Sequence, residues 1–371
     1  MDQINKGLFS NLEVGHEFGS YPKMCLELGI KKKGGNARRA QLKEIERYIK
    51  LERIEGSKYK KKVVEIYDVP LLKEDDRGKY NQLVQLLLTD YFAKSNKQVL
   101  ELTLNDILRL VNLINYNYSL ASNNVPKFSK YLGIEEQITY DHFSLTHNSL
   151  KKNIERVLDN LSDMHLINVH KDVVFISDSD SNKRVATDDE IELFEQAGEE
   201  ALDEIFKDKS RSNRKISNVR FTKYWHKYRT ISSKKFVELM KKEKGESVKS
   251  AYMGYRIVLN RKAIKKAHDE LLIEYLDDAT RKHYLDEVET IVLNDLIKKA
   301  INRHEKAKNI NSKISERMRS YRMMFGYVKD NKKIIELTHS QQALDLTNEF
   351  SKKKERKLKD EEKKVINDVL K

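Results

Sequence analysis

Residues 20–67 read SYPKMCLELGIKKKGGNARRAQLKEIERYIKLERIEGSKYKKKVVEIY, and three changes of character within them decide the fold expected of this chain. Ser20 before Pro22 marks a helix start. A serine hydroxyl can accept from a first-turn N–H, and proline gives up an N–H that would be unpaired there anyway. Gly29 stops that helix. A lysine-rich turn over residues 30–35 comes next, and its glycine pair Gly34-Gly35 permits positive φ. Asn36 is a suitable cap for a second helix, expected to run to about Lys50. At 100° per residue, Gln41, Leu42, Ile45, Tyr48 and Ile49 fall on its inward side. Arg39, Lys43, Arg47 and Lys50 fall opposite, with Arg38 beside them. Glu44 and Glu46 lie near this stripe but not in it. After Gly56 the composition turns β-branched and aromatic, as in a strand or hairpin, and it carries Lys58, Lys60, Lys61 and Lys62.

A related pattern recurs 104 residues later. Pro22-Lys23-Met24 leads to Leu28-Gly29-Ile30, and Pro126-Lys127-Phe128 leads to Leu132-Gly133-Ile134. An amphipathic helix is expected from Asn148 to about Met164, with Leu150, Ile154, Val157, Leu158 and Leu161 on one face. A β wing is expected over residues 168–176. The outward face of that helix mixes Lys151, Lys152 and Arg156 with Glu155, Asp159 and Asp163.

The element order resembles winged helix-turn-helix DNA-binding proteins. Two such units in one chain resemble plasmid replication initiators of the two-winged-helix type, and residues 21–67 are similar to proteins of Gram-positive phages and plasmids. The resemblance covers about residues 20–177. It implies Arg39, Lys43 and Arg47 as groove-facing side chains, where cations reach phosphates and guanine edges. Lysines of a wing would touch phosphate and position the protein without reading sequence.

The bulk composition agrees with a polyanion partner. The 371 residues hold 72 Lys+Arg against 58 Asp+Glu, a net +14, and such an excess attracts nucleic acid first. The charge is segmented. Residues 21–68 hold 14 basic and 7 acidic side chains, residues 178–208 hold 3 and 12, and residues 210–262 hold 16 and 3. The expected organisation is a winged-helix domain over 1–70, a second winged-helix-like domain over 80–177 and an acidic linker or helix over 178–209. A basic helical domain over 210–350 and a charged tail over 351–371 complete it. The fold class expected is mainly α with small β wings. The acidic helix, about Asp188 to Phe206, is read as an exposed connector in preference to a mask over a basic surface.

Residues 214–229 interleave cations (among them Arg220, Lys223, Lys227 and Arg229) with aromatic rings. Such a surface suits single-stranded DNA, although Phe221, Trp225 and Tyr228 recur at the spacing of one packed helix face, and packing is the favoured reading. A helix from Ser232 to Lys244, stopped by Gly245, and another from Ser247 could form a third helix-turn-helix. The stripe Val288, Ile291, Val292 and Leu296 suits a dimer interface or a partner platform.

Chemistry is not expected. Neither phosphate-loop signature is present, nor is H-E-x-x-H. The single cysteine, Cys25, excludes a cysteine-rich zinc site and an intramolecular disulfide. His142 and His147 read as ordinary polar residues of a loop. Asp203, Glu204 and Lys207 only faintly resemble a nuclease set. No catalytic residue, metal or cofactor is therefore expected. Without a signal-peptide pattern or an apolar run long enough to span a bilayer, the chain is expected in the cytoplasm with no membrane partner. The functions considered are a sequence-specific transcriptional regulator of a mobile genetic element, a plasmid or phage replication initiator, and a phage-encoded inhibitor of a host protein. Duplex DNA is the expected partner; single-stranded DNA is a further candidate, and a homodimer is one of the assemblies the sequence leaves open.

Overall fold

The computed structural model describes residues 6–57, 59–67, 76–178, 182–206, 222–271 and 278–347. The architecture is mainly helical with two small antiparallel sheets. It divides into two compact units, Met1–Gln82 and Leu83–Lys371. No helix among the described residues is long and apolar enough to cross a membrane.

The first unit contains a 3-10 turn (Lys6–Phe9), β1 (Glu17–Phe18), α1 (Tyr21–Glu27), α2 (Gly35–Ile45), β2 (Ile49–Arg53) and β3 (Lys61–Ile66). The Ser20 side chain accepts from the Lys23 N–H at 3.4 Å, and Pro22 sits in the first turn of α1. Gly29 ends the helix at φ 64°, a region open to glycine at no steric cost. The Ile30 N–H then reaches back to the Cys25 carbonyl at 2.8 Å. The sheet order is β1-β3-β2. Phe18, Met24, Cys25, Leu28, Ile45, Ile49 and Val63 form the core beneath the two helices.

Both boundaries of the second helix differ from expectation, its cap falling ahead of Asn36. The second helix starts on Gly34 as cap and stops at Ile45, well short of Lys50. Ile49–Arg53 is drawn instead into a ladder with β3, in which Ile49 pairs with Ile66 and Arg53 with Lys61. Ile49 stays fully buried, so the inward pattern holds while the backbone state changes.

The second unit contains α3 (Asp76–Lys94, within which the unit boundary falls), β4 (Val99–Leu102), α4 (Leu104–Leu110), α5 (Tyr116–Asn123), α6 (Val125–Leu132) and α7 (Glu136–Asp163). Then come β5 (Ile167–Asp178), β6 (Lys183–Val185), α8 (Asp188–Ile205), α9 (Trp225–Leu239) with a π turn to Lys244, and β7 (Val248–Leu259). The chain continues through α10 (Arg261–Leu271), α11 (Asp278–Lys308), α12 (Glu316–Arg322) and α13 (Tyr327–His339). The second copy of the proline–glycine pattern folds as the first does. Asn124 accepts from the Lys127 N–H at 3.3 Å, Gly133 takes φ 67°, and the Ile134 N–H bonds the Ser129 carbonyl at 3.0 Å.

Several expectations for this region are corrected. The helix after Gly133 begins at Glu136, not Asn148, so His142 and His147 lie inside α7 and are buried. The segment from Ser247 is a strand. β7 pairs with β4 and β5 in the order β4-β7-β5-β6, and a Cβ on Gly254 would sit 2.7 Å from the Leu102 carbonyl oxygen. Residues 80–177 and 210–350 thus contribute to one sheet instead of forming separate domains. The stripe on α11 is consumed within the chain, with Val288, Val292 and Leu296 buried. The acidic helix α8 is no exposed connector. It packs on α9, with Gly198 against the Tyr228 hydroxyl and Lys235 paired to Glu200 at 2.9 Å.

Candidate nucleic-acid interface

The candidate interface is the helix–turn–helix–hairpin of the first unit. Its turn is fastened from within. The buried Tyr21 hydroxyl donates to the Gln41 side-chain oxygen and accepts from the Lys33 N–H at 3.1 Å. The Gln41 amide donates to the Lys31 carbonyl at 3.0 Å. One tyrosine on α1 and one glutamine on α2 therefore hold the intervening backbone, while Lys31, Lys32 and Lys33 stay exposed. Burial raises the Tyr21 phenol above its ordinary pKa, which keeps it a neutral donor.

On α2, Arg38, Arg39 and Lys43 are all exposed. The Arg38 guanidinium lies 4.5 Å above the Tyr21 ring, a cation–π contact that holds its direction. No ion pair of Arg39 is found among the described residues.

The stripe ends there. Arg47 lies beyond the helix, bonded to Glu44, with its guanidinium 5.9 Å from the Tyr48 ring. Lys50 lies on β2, exposed and 3.9 Å from Glu52. Neither continues a helical face, because the hydrogen bonds of the β2–β3 ladder have rotated the chain out of helical register.

The hairpin carries fewer uncompensated cations than its composition suggests. Lys61 is paired to Glu46 at 2.9 Å. Lys62 stands directly opposite Glu17 on one side and Glu52 on the other, where cross-strand neighbours share a face. Lys60 and Arg53 are exposed. Lys58 lies outside the described residues, as does Arg220.

The remaining predicted cations are scattered over the second unit. On α7, Lys151 is 3.6 Å from Glu155 and 3.3 Å from Asp172. Lys152 and Arg156 are exposed. Around α9, Lys223 lies 5.2 Å from the Tyr224 ring, Lys227 is exposed, and Arg229 bonds Asn123. The aromatic residues of this block are structural. Trp225 stacks on Tyr228 at 5.5 Å, and the buried Tyr228 packs with Ala201, Leu202 and Phe206. That is the packing reading for Trp225 and Tyr228, while Phe221 lies outside the described residues.

Among the described residues, α2 thus exposes three predicted cations together, Arg38, Arg39 and Lys43, whereas α7 exposes two, Lys152 and Arg156. Beside the α2 cations lies the lysine-rich turn over residues 30–35, whose Lys31, Lys32 and Lys33 are not among the predicted contacts. Its signal was the run Lys31-Lys32-Lys33 itself, but its fastening depends on a bond across 20 residues. Among the described residues no cluster of histidine, cysteine or carboxylate side chains could hold a metal ion. Compared with protein-family models, curated proteins and solved structures, the chain matches none.

Proposed function

We propose that this chain is a DNA-binding protein of a mobile genetic element, acting in the cytoplasm as a sequence-specific transcriptional regulator. The observation that carries the reading is α2, a short exposed helix bearing Arg38, Arg39 and Lys43 behind a turn of three exposed lysines. The dimensions of an α-helix suit the major groove, where Arg or Lys can bond guanine O6 and N7. The hairpin comes next, at the place where a wing would meet backbone phosphate, with Lys60 and Arg53 among its exposed cations. The resemblance to phage and plasmid proteins supports the mobile-element setting. The action is binding, not catalysis.

Selection of duplexes from a random pool at moderate salt tests this reading. One preferred sequence should emerge, bound at least about 10³-fold more tightly than random duplex. Equal recovery of all sequences would contradict it.

A second reading, replication initiator, is favoured by the recurrence of the capped helix and glycine stop at α6. It requires strand opening beside the bound site. Protection of a duplex without unpaired bases would leave the regulator reading in place.

A further inference from the structure

We infer that the turn between α12 and α13 is an apolar wedge that enters a base step of duplex DNA, a second contact resting on the DNA-binding reading above. Met323, Met324 and Phe325 form this turn. Phe325 is 104% exposed, and Met323, Met324 and Met318 on the preceding helix are 48%, 42% and 44% exposed. Three consecutive apolar side chains projecting from a turn are not left out by poor packing, because the residues on either side are anchored deeply. Tyr321 and Arg322 are buried, and Tyr327 is fully buried. All three converge on Asp141 of α7. The Arg322 guanidinium donates to it at 3.1 and 2.6 Å, and the Tyr321 and Tyr327 hydroxyls donate at 3.2 and 2.9 Å. The turn itself is closed by the Met324 N–H to the Tyr321 carbonyl and the Tyr327 N–H to the Met324 carbonyl. The tip is thus held rigid by a buried polar network while its apolar side chains face solvent.

The surroundings select the partner. From Lys308 to Lys333 there are eight basic and two acidic side chains; Arg322 is spent on Asp141 and Arg319 on backbone carbonyls, which leaves six exposed cations. Arg317, Lys329 and Lys333 are exposed on the helices flanking the tip. An apolar tip inside a cationic rim complements a duplex, whose phosphates border stacked bases. Phenylalanine and methionine are residue types that proteins insert between base steps, kinking the helix. A tip of three residues is small for holding a lipid surface, which calls for a larger buried apolar area.

The test uses the full chain and a duplex labelled at both ends for energy transfer, with 2-aminopurine reporting unstacking. The wild type should bind, shorten the end-to-end distance and brighten the 2-aminopurine. Phe325→Ser should still bind, with unchanged circular dichroism and thermal midpoint, yet lose both signals. Phe325→Leu should restore them. If Phe325→Ser bends the duplex as the wild type does, or the wild type binds without bending, the wedge is overturned and the DNA-binding reading stands. If the wild type binds no duplex at any salt, that reading falls and the wedge with it. Binding to anionic vesicles or self-association that depends on Phe325, without bending, overturns the wedge and assigns the tip to lipid or to a second copy.

Discussion

The chain contains the same helix-stop pattern twice, and the two copies serve different ends. At α1 and at α6, a capped first turn with proline leads to a glycine at φ 64° or 67° and to an N–H reaching back five residues. The helices that come after the two stops differ. After the first copy, α2 is 11 residues long and exposes Arg38, Arg39 and Lys43. After the second, α7 is 28 residues long, and most of its first half is buried, with Asp141, His142 and Phe143 inside. Lys151, farther along α7, is engaged by Glu155 and Asp172. Local sequence specifies the stop. Whether the next helix faces solvent depends on segments some 180 residues away.

The largest expected contrast is in stability. Asp141→Ala would leave the Arg322 guanidinium buried without its anion, a loss of about 3–5 kcal/mol. Arg39→Ala, on the exposed helix of the other copy, should cost less than about 0.5 kcal/mol. Urea unfolding monitored by circular dichroism measures both, and equal costs would erase the distinction.

Acid should separate the copies next. Burial holds the His339 imidazole down at about 4, and it pushes His142 in the same direction. The unfolded chain then takes up the proton first as pH falls. Stability of the second unit declines from about pH 6.5 to about pH 4, and His339 contributes no further loss below that. The His339 contribution is about 3 kcal/mol. A pH series of unfolding midpoints that stays flat over this range would contradict the buried neutral histidines.

In the first unit, Tyr21→Phe removes the donor to Gln41 and the acceptor for Lys33, at a cost of about 1–2 kcal/mol. Amide exchange at Lys33 should quicken. Protection equal to the wild type would mean that the turn is held by something else. Smallest and most diagnostic of the shared motif, Gly29→Ala and Gly133→Ala should each cost about 1 kcal/mol. A Cβ would meet nothing within 4 Å at either site, so the penalty is backbone alone, and markedly unequal costs would break the equivalence.

The same contrast separates the residues legible in the sequence from the rest. Ser20, Pro22, Gly29 and their counterparts act within five residues, and their roles are legible. Arg38, Arg39 and Lys43 are legible because helical periodicity alone sets them apart from Gln41 and Ile45. Arg47 and Lys50 leave their expected face because the end of α2 is set by pairing with β3, a partner up to 17 residues away. His142 reads as a loop residue because polarity signals exposure unless a distant partner removes it. The network of Asp141 with Arg322 and Tyr327 is such a partner, and nothing near residue 141 announces it. The segment from Ser247 reads as helical, although β7 takes its state from two neighbouring strands.

That α2 and its lysine turn meet duplex DNA is the proposal on which the rest depends. Its most direct test is the affinity of the full chain for duplex across a salt series, for the wild type and for the triple variant Arg38→Ala, Arg39→Ala, Lys43→Ala. Each phosphate neutralised contributes about −0.9 to the slope of log affinity against log salt. The wild type should show a steep slope. The triple variant should bind more weakly, with a slope shallower by about one for each of these cations that meets a phosphate, while Lys152→Ala with Arg156→Ala should leave both quantities unchanged. A triple variant with wild-type affinity and slope would contradict the proposal.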